Sequence, residues 1–437
     1  MMSIPRTVSA LALLVGTVGT TAAQSVYYPP VVGNTWETVD PAALGWCTDQ
    51  LPALNSFLQQ SNTKAFIVLK DGRIAIEQYF GTFTQDSLWY WASAGKSLTA
   101  FLVGKAQEEG FLDINAPSST YLGTGWTSCT PAQEAAITVR NQLTMTSGLD
   151  DTGDLDCTAP SCLTYLAEPG NRWSYHNAPY TLLDGVITGA TGQTLNSYLF
   201  NKLTLTTGLQ GAFVQVGSNN VFFSKARAMA RFGLMAMGQG QWNGTPVMAD
   251  VTYFQAMVSP SQTLNEAYGY LWWLNGQGTF MLPGTQFTFN GPLMPNAPLD
   301  AYSALGKNGQ ICNVSPGTGL VVIRMGNLPD GLFVPNVYND EIWQHLNAVI
   351  CLPTAVDAPH RANGLDIHPN PATDRITVSI AGAIPQRIRI IGADGRECLS
   401  VQRSGQVDTA SLPPGTYMAE ATGADGTVVR SKLVVER

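Results

Sequence analysis

The 437 residues carry a formal net charge of -8, with 45% apolar and only 12% charged residues. That balance excludes a disordered chain and argues against nucleic acid or an anionic membrane as a partner. The length calls for one large domain with a smaller one attached.

The chain opens on "MMSIPR", a short apolar run "TVSALALLVGTVG", and small residues ahead of Gln24, the pattern of a signal peptide over residues 1–23. An exported protein is expected, and no other run approaches the roughly 18 apolar residues that span a bilayer. "PAALGWCTDQLPALNSFLQQ" predicts a helix, and "AFIVLKDGRIAIEQYF" predicts a hairpin turning at Asp71-Gly72. "WYWASAGKSLTAFLVGKAQEEG" predicts a second helix with Leu98, Phe101 and Leu102 on its apolar face. A middle rich in helix and turn signals predicts a separate lobe. "AYSALGKNGQICNV" and "GLVVIRMGN" read as two strands joined by "SPGTG", and "NDEIWQHLNAVI" reads as a closing helix.

The fold class expected is therefore α+β, an antiparallel sheet flanked by helices from both ends of residues 24–355, plus a helical lobe. A polar linker, 356–364, leads to residues 365–437. There "RITVSI", "QRIRII", "TYMAEA" and "VVRSKLVV" alternate between turn signals, predicting a small all-β module.

Seven cysteines suit an oxidising compartment and leave at least one unpaired. Cys157 and Cys162 share a polar loop and are close enough to bridge; for the others, buried free thiols are as good a reading. With no Cys-x-x-Cys and no histidine pair at ligand spacing, a structural or catalytic zinc is not expected, and no other metal or organic cofactor is called for.

Ser93 has two readings. It caps the helix that follows, as serine does at many helix N-termini. Alternatively it is a nucleophile: Lys96, nearly one turn on, returns to the same face, and the helix N-terminus favours developing negative charge. Lysine accepts a proton at neutral pH only if burial or a second cation lowers its pKa, so a second cation is sought. A lone Ser-x-x-Lys decides nothing, since Ser61 and Lys64 repeat it. Two further triplets stand out, Tyr175-His176-Asn177 and Lys307-Asn308-Gly309, the latter on a predicted strand. Each has a decoy, Ser218-Asn219-Asn220 and Lys70-Asp71-Gly72.

The order Ser93, Tyr175, Lys307 resembles the serine hydrolases related to class C β-lactamases, D,D-peptidases, esterases and 6-aminohexanoate-dimer hydrolases, whose motifs are Ser-x-x-Lys, Tyr-x-Asn and Lys/His-x-Gly. "LTMTSGL" and Pro169-Gly170 with Trp173 extend the likeness. The resemblance implies an ester or amide substrate and an acyl-enzyme on Ser93. It implies proton traffic shared by Lys96 and Tyr175, Asn177 positioning substrate or Lys96, and Lys307 as the second cation. It also implies an oxyanion hole from the N–H groups of Ser93 and Gln310, beside Gly309. Asn308 and Gln310 depart from the threonine and serine usual in β-lactamases, which shifts weight to another ester or amide. A D,D-peptidase or β-lactamase acting on peptidoglycan-type substrates, and a catalytically silent surface-binding protein of the same fold, are the alternatives.

Glu168 lies before the tyrosine motif and reads as a loop residue. His176 reads as structural or substrate-lining rather than as the base of a triad, and Trp173 as core or as the wall of an apolar cleft. "LDIHPNPATDRITV" with "LPPGTYMAEA" resembles the C-terminal sorting domain of type IX secretion, implying that machinery as partner and a secreted or outer-membrane surface-attached product.

Overall fold

The structure, a computed structural model, describes residues 26–328, 334–351, 365–380, 383–392, 396–424, 426 and 428–436. The expected signal peptide and linker lie outside the described residues. Helix α1 (Leu51–Gln60) precedes the hairpin β1 (Thr63–Lys70) and β2 (Arg73–Tyr79). Asp71 and Gly72 both adopt positive φ, 48° and 82°, as a two-residue hairpin turn requires. A methyl group on Gly72 would run into the carbonyl of Tyr27.

After β3 (Trp89–Tyr90) comes α2 (Gly95–Glu108), buried along most of its length. Leu98, Phe101 and Leu102 are fully buried on it, worth about 1.5–3 kcal/mol each against exposure. Two short helices, α3 (Asn177–Thr181) and α4 (Leu183–Thr191), pack beside α2, and β4 (Gly211–Val216) and β5 (Asn219–Ser224) pair with β3 in the order β3-β5-β4. Helix α5 (Ala226–Met237) follows.

The next strands are β6 (Trp273–Leu274), β7 (Tyr302–Gly306), β8 (Gln310–Ser315) and β9 (Leu320–Gly326), and α6 (Asn336–Ile350) packs on α1. They complete an antiparallel six-stranded sheet, β2-β1-β9-β8-β7-β6. Strands β7 to β9 are buried at every position, which explains their continuous apolar runs, since a strand covered on both faces has no solvent side to mark.

One prediction is corrected here. "AYSALGKNGQICNV" is two strands, and Lys307-Asn308-Gly309 is the turn between them. Asn308 and Gly309 take φ of 62° and 77°, conformations that Asn and Gly tolerate and a strand does not. The buried Arg324 fixes the turn, donating to the carbonyls of Asn308 and Gly309 at 2.8 and 2.9 Å.

The disulfide Cys47–Cys351 ties the start of the domain to the end of α6, and Cys157–Cys162 closes the short loop as expected. A bridge across so long a stretch of chain contributes roughly 2–5 kcal/mol, chiefly by restricting the unfolded state.

The C-terminal strands are β10 (Leu365–His368), β11 (Arg375–Ile380), β12 (Arg387–Ile391), β13 (Glu397–Gln402), β14 (Gln406–Asp408), β15 (Gly415–Thr422) and β16 (Val428–Val435). They form two sheets, β10-β11-β14 and β13-β12-β15-β16, whose inward residues, among them Ile376, Val378, Ile390, Ala419 and Leu433, make a core of their own. Among the described residues no helix is long and apolar enough to cross a membrane.

Candidate active site

Ser93 sits in a 3-10 turn, Ala92–Ala94, that runs into α2, and Ala92 before it is held at φ 45°. Strain of this kind persists only where surrounding structure enforces it. Ser93 does not cap α2, whose N-terminus has no side-chain cap. Instead Lys96 Nζ lies 3.1 Å from Ser93 Oγ, and Ser93 is also the side chain that draws the Tyr175 phenol toward ionisation.

Lys96 is only 4% exposed. Burial lowers its pKa to about 7, against the opposing charges of Asp156 and Asp184. Its ammonium group stands 4.0 Å from the Tyr180 ring and 5.4 Å from that of Tyr175. Burial pushes the Tyr175 phenol upward, with the Ser93 hydrogen bond pulling the other way, so Tyr175 keeps its proton at neutral pH. Its ring stacks on Trp273, 5.8 Å between centroids.

Asn177 opens α3. Its Nδ2 donates to Asp156 at 2.8 Å, while its Oδ1 is buried without a donor. Asp156 directly precedes the loop closed by Cys157–Cys162, and its neighbour Leu155 accepts at its carbonyl from Ala178 N–H at 2.8 Å. Ser93, Lys96, Tyr175 and Asn177 are thus brought together by α2 and the segment entering α3.

The third motif falls elsewhere than expected. Gly306, not Gly309, abuts Ser93: a methyl group on it would lie 3.0 Å from Ser93 N and 2.8 Å from Ala94 N, and would collide with the Trp91 carbonyl. A methyl group on Gly309 would meet Arg324 instead. Gln310 is fully buried, and its side chain braces the turn through the Lys307, Asn308 and Gly326 carbonyls. Asn308 Nδ2 donates to the Tyr90 hydroxyl at 2.7 Å. The exposed Lys307 does not depress Lys96 as a second cation; burial does that.

Strand β6 pairs with only Tyr302 and Ser303 of β7, so the edge of Ala304–Gly306 is left to the serine turn. The Ala301 carbonyl accepts from Asn275 on the β6 side. Alternation along a strand then directs the backbone groups of Ser303 and Leu305 to that same edge, and Lys307 leads from it into the turn.

For Trp173 and His176 the structure favours the packing side of the two readings left open. Trp173, 1% exposed, sits in an aromatic cluster with Tyr175, Tyr268 and Trp273 and lines no open wall. His176 is buried at 3% and its pKa is lowered by burial, with Asp151, Asp150 and Asp156 opposing, so it belongs to the packing of this loop. Glu168 is an exposed loop residue accepting from the Tyr165 hydroxyl at 2.7 Å. Of the decoys, Ser61 closes α1 and bonds to Tyr338.

Sequence reasoning missed Gly306, Tyr180, Asp156 and Asp184. For Gly306 the signal was a second glycine three residues before Gly309. For Asp184 it was a lone acid in the apolar run "YTLLDGVI".

An antiparallel sheet whose edge meets a serine and lysine one turn apart places this chain among the β-lactamase-fold hydrolases. The sequence pattern of the beta-lactamase family matches residues 56–346, and the chain belongs to that family. Residues 366–436 match the secretion-system C-terminal sorting domain, which marks the protein for type IX export to the cell surface or beyond. An uncharacterized protein of Alkalihalophilus pseudofirmus is 24% identical over 304 residues, 61% of this chain and 84% of that protein. Among solved structures, a protein of Bacillus anthracis described as a 6-aminohexanoate-dimer hydrolase superposes with a TM-score of 0.53 at 17% identity, covering 68% of this chain and 82% of that one. A family VIII carboxylesterase superposes with a TM-score of 0.52 at 14% identity, covering 71% and 99%.

Gly306→Ala is expected to slow any reaction at Ser93 by about 100-fold, because the added methyl group forces the strand edge away from the serine turn and misplaces the reacting atoms. Single-turnover rates of the variant and the parent protein, with circular dichroism as the control for folding, check this.

Proposed function

We propose that the protein is a secreted serine hydrolase that cleaves an ester or amide bond through an acyl-enzyme on Ser93. The observation that carries this is the buried Lys96 amine 3.1 Å from Ser93 Oγ, with a pKa near 7. A lysine in water is protonated at neutral pH; here a large fraction is a free amine and accepts the hydroxyl proton as Oγ attacks the carbonyl carbon. The N–H groups of Ser93 and Lys307 receive the developing oxyanion, Lys307 replacing Gln310 in that role because Gly306 is the glycine beside the serine. Tyr175, held as a phenol, relays the proton from Lys96 to the leaving alcohol or amine. Water then enters, loses a proton to the same pair and releases the acid, restoring Ser93. Asn177 Oδ1, buried without a donor, receives an N–H of the substrate or of Lys96.

The test is the intact mass of the purified protein after exposure to a fluorophosphonate across pH. One adduct is expected, formed at a rate that rises with pH through a midpoint near 7. Below that midpoint Lys96 is an ammonium and cannot take the proton; above it the amine is free. No adduct on folded protein would overturn the reading in favour of a surface-binding protein of the same fold.

A further inference from the structure

Asp184 is the acid that the proposed chemistry does not use. It lies on α4, four residues beyond Tyr180, whose ring is 4.0 Å from Lys96 Nζ. Asn220 Nδ2 donates to its Oδ2, while Oδ1 is shut off from solvent and has no donor. A carboxylate with one oxygen unsatisfied is costly to bury, and a structural role would be served by an amide that could use both ends. Asn220 belongs to Ser218-Asn219-Asn220, the triplet set aside in the sequence as a decoy. The hairpin of β4 and β5 brings it against the helical lobe, where the Thr181 hydroxyl also donates to Asn219 Oδ1 at 3.1 Å.

We propose that Asp184, anchored by Asn220, is a positioning residue that sets the charge of Lys96 and with it the pH range over which Ser93 is acylated. The inference rests on the serine-hydrolase reading given above. Lys96 is faced by Ser93 from the serine turn and by Tyr175 and Tyr180 from the segment entering α3 and from α3 itself, and the charges of Asp156, just ahead of the disulfide-closed loop, and of Asp184 on α4 reach it. Asp184 in turn is faced by Lys96 and Asn220, and its charge reaches Tyr180. Burial raises Asp184 to about 7, with the Asn220 hydrogen bond and the Lys96 charge pulling it down. Burial disfavours the charge on each group while the opposite charge of the other favours it, so the two titrations are coupled. One proton moves between an ammonium–carboxylate pair and an amine–acid pair, and the protons lost belong to the pair rather than to either residue. As a carboxylate Asp184 holds Lys96 charged; without that carboxylate, burial alone favours the free amine.

Asp184→Asn keeps an acceptor for Asn220 and removes the charge. The pH midpoint of fluorophosphonate labelling is expected to move roughly one pH unit lower, so that at pH 6 the variant reacts several times faster relative to its own plateau than the parent does. Lys96, followed by its 13Cε resonance in lysine-labelled protein and assigned through Lys96→Arg, should titrate at the same lowered midpoint. Asn220→Ala, which withdraws the donor favouring the carboxylate, should move the midpoint in the same direction by less, and it serves if the first variant fails to fold. A midpoint unmoved or raised in both variants, with the Ser93 adduct still forming, overturns this inference alone. Absence of any Ser93 adduct on the parent protein overturns the catalytic reading and the role of Asp184 with it.

Discussion

Ser93→Ala is expected to abolish fluorophosphonate labelling and to lower hydrolysis of any ester or amide substrate by more than about 10³-fold, while the melting temperature stays within a few degrees of the parent. The rate falls because Ser93 Oγ is the oxygen that the buried Lys96 amine contacts, at 3.1 Å. Removing a nucleophile leaves only what the oxyanion site and substrate binding supply. Stability changes little for a separate reason. Ser93 caps no helix, and its half-buried hydroxyl is bound by groups that retain other contacts, Lys96 over two rings and Tyr175 in its aromatic cluster. Labelling, steady-state hydrolysis and thermal melting on the same preparations check all three parts. A helix-capping serine would give the reverse pattern, a melting temperature lowered by the loss of about 1 kcal/mol and an unchanged rate.

The parts of this arrangement written in local chemistry were legible in the sequence. Asp71-Gly72 announced its turn because only residues at ease with positive φ serve there. Ser93 and Lys96 announced a shared face because helix geometry fixes three-residue spacing. The disulfide Cys157–Cys162 was visible because its ends lie five positions apart, whereas Cys47–Cys351 joins segments that only the completed sheet brings together. The glycine of the third motif was misread for a related reason. Gly306 and Gly309 are equivalent as text, and the pairing of β7 with β8 decides which of them meets the serine turn and which meets Arg324. Lys307 looked like the missing cation because a lowered lysine pKa has two causes, charge and burial. Burial, the one that operates, comes from packing among Tyr175, Tyr180 and the rest of the lobe, and composition does not report it. His176 and Trp173 lie within three residues of Tyr175, and nearness along the chain left open whether each lines the site or turns into the packing, as both do.

Tyr175→Phe separates the two proton carriers proposed above. The ring contacts with Trp173, Tyr268 and Trp273 are retained, so the variant should fold with a melting temperature close to the parent's. Only the hydroxyl next to Ser93 is lost. A general acid or base typically contributes about 10²- to 10⁴-fold, and kcat is expected to fall within that range for substrates with a poor leaving group, an alkyl ester or an amide. For an activated aryl ester or a fluorophosphonate, whose leaving group departs as an anion, the loss should be much smaller. Lys96 still takes the serine proton, and the departing group needs none back. The midpoint near pH 7 set by Lys96 should persist in the variant. Pre-steady-state acylation with paired alkyl and aryl esters of one acid is the decisive measurement. Equal losses on both would make Tyr175 the group that deprotonates Ser93. A loss confined to the alkyl ester would leave that step with Lys96 and fix Tyr175 as the donor to the leaving group.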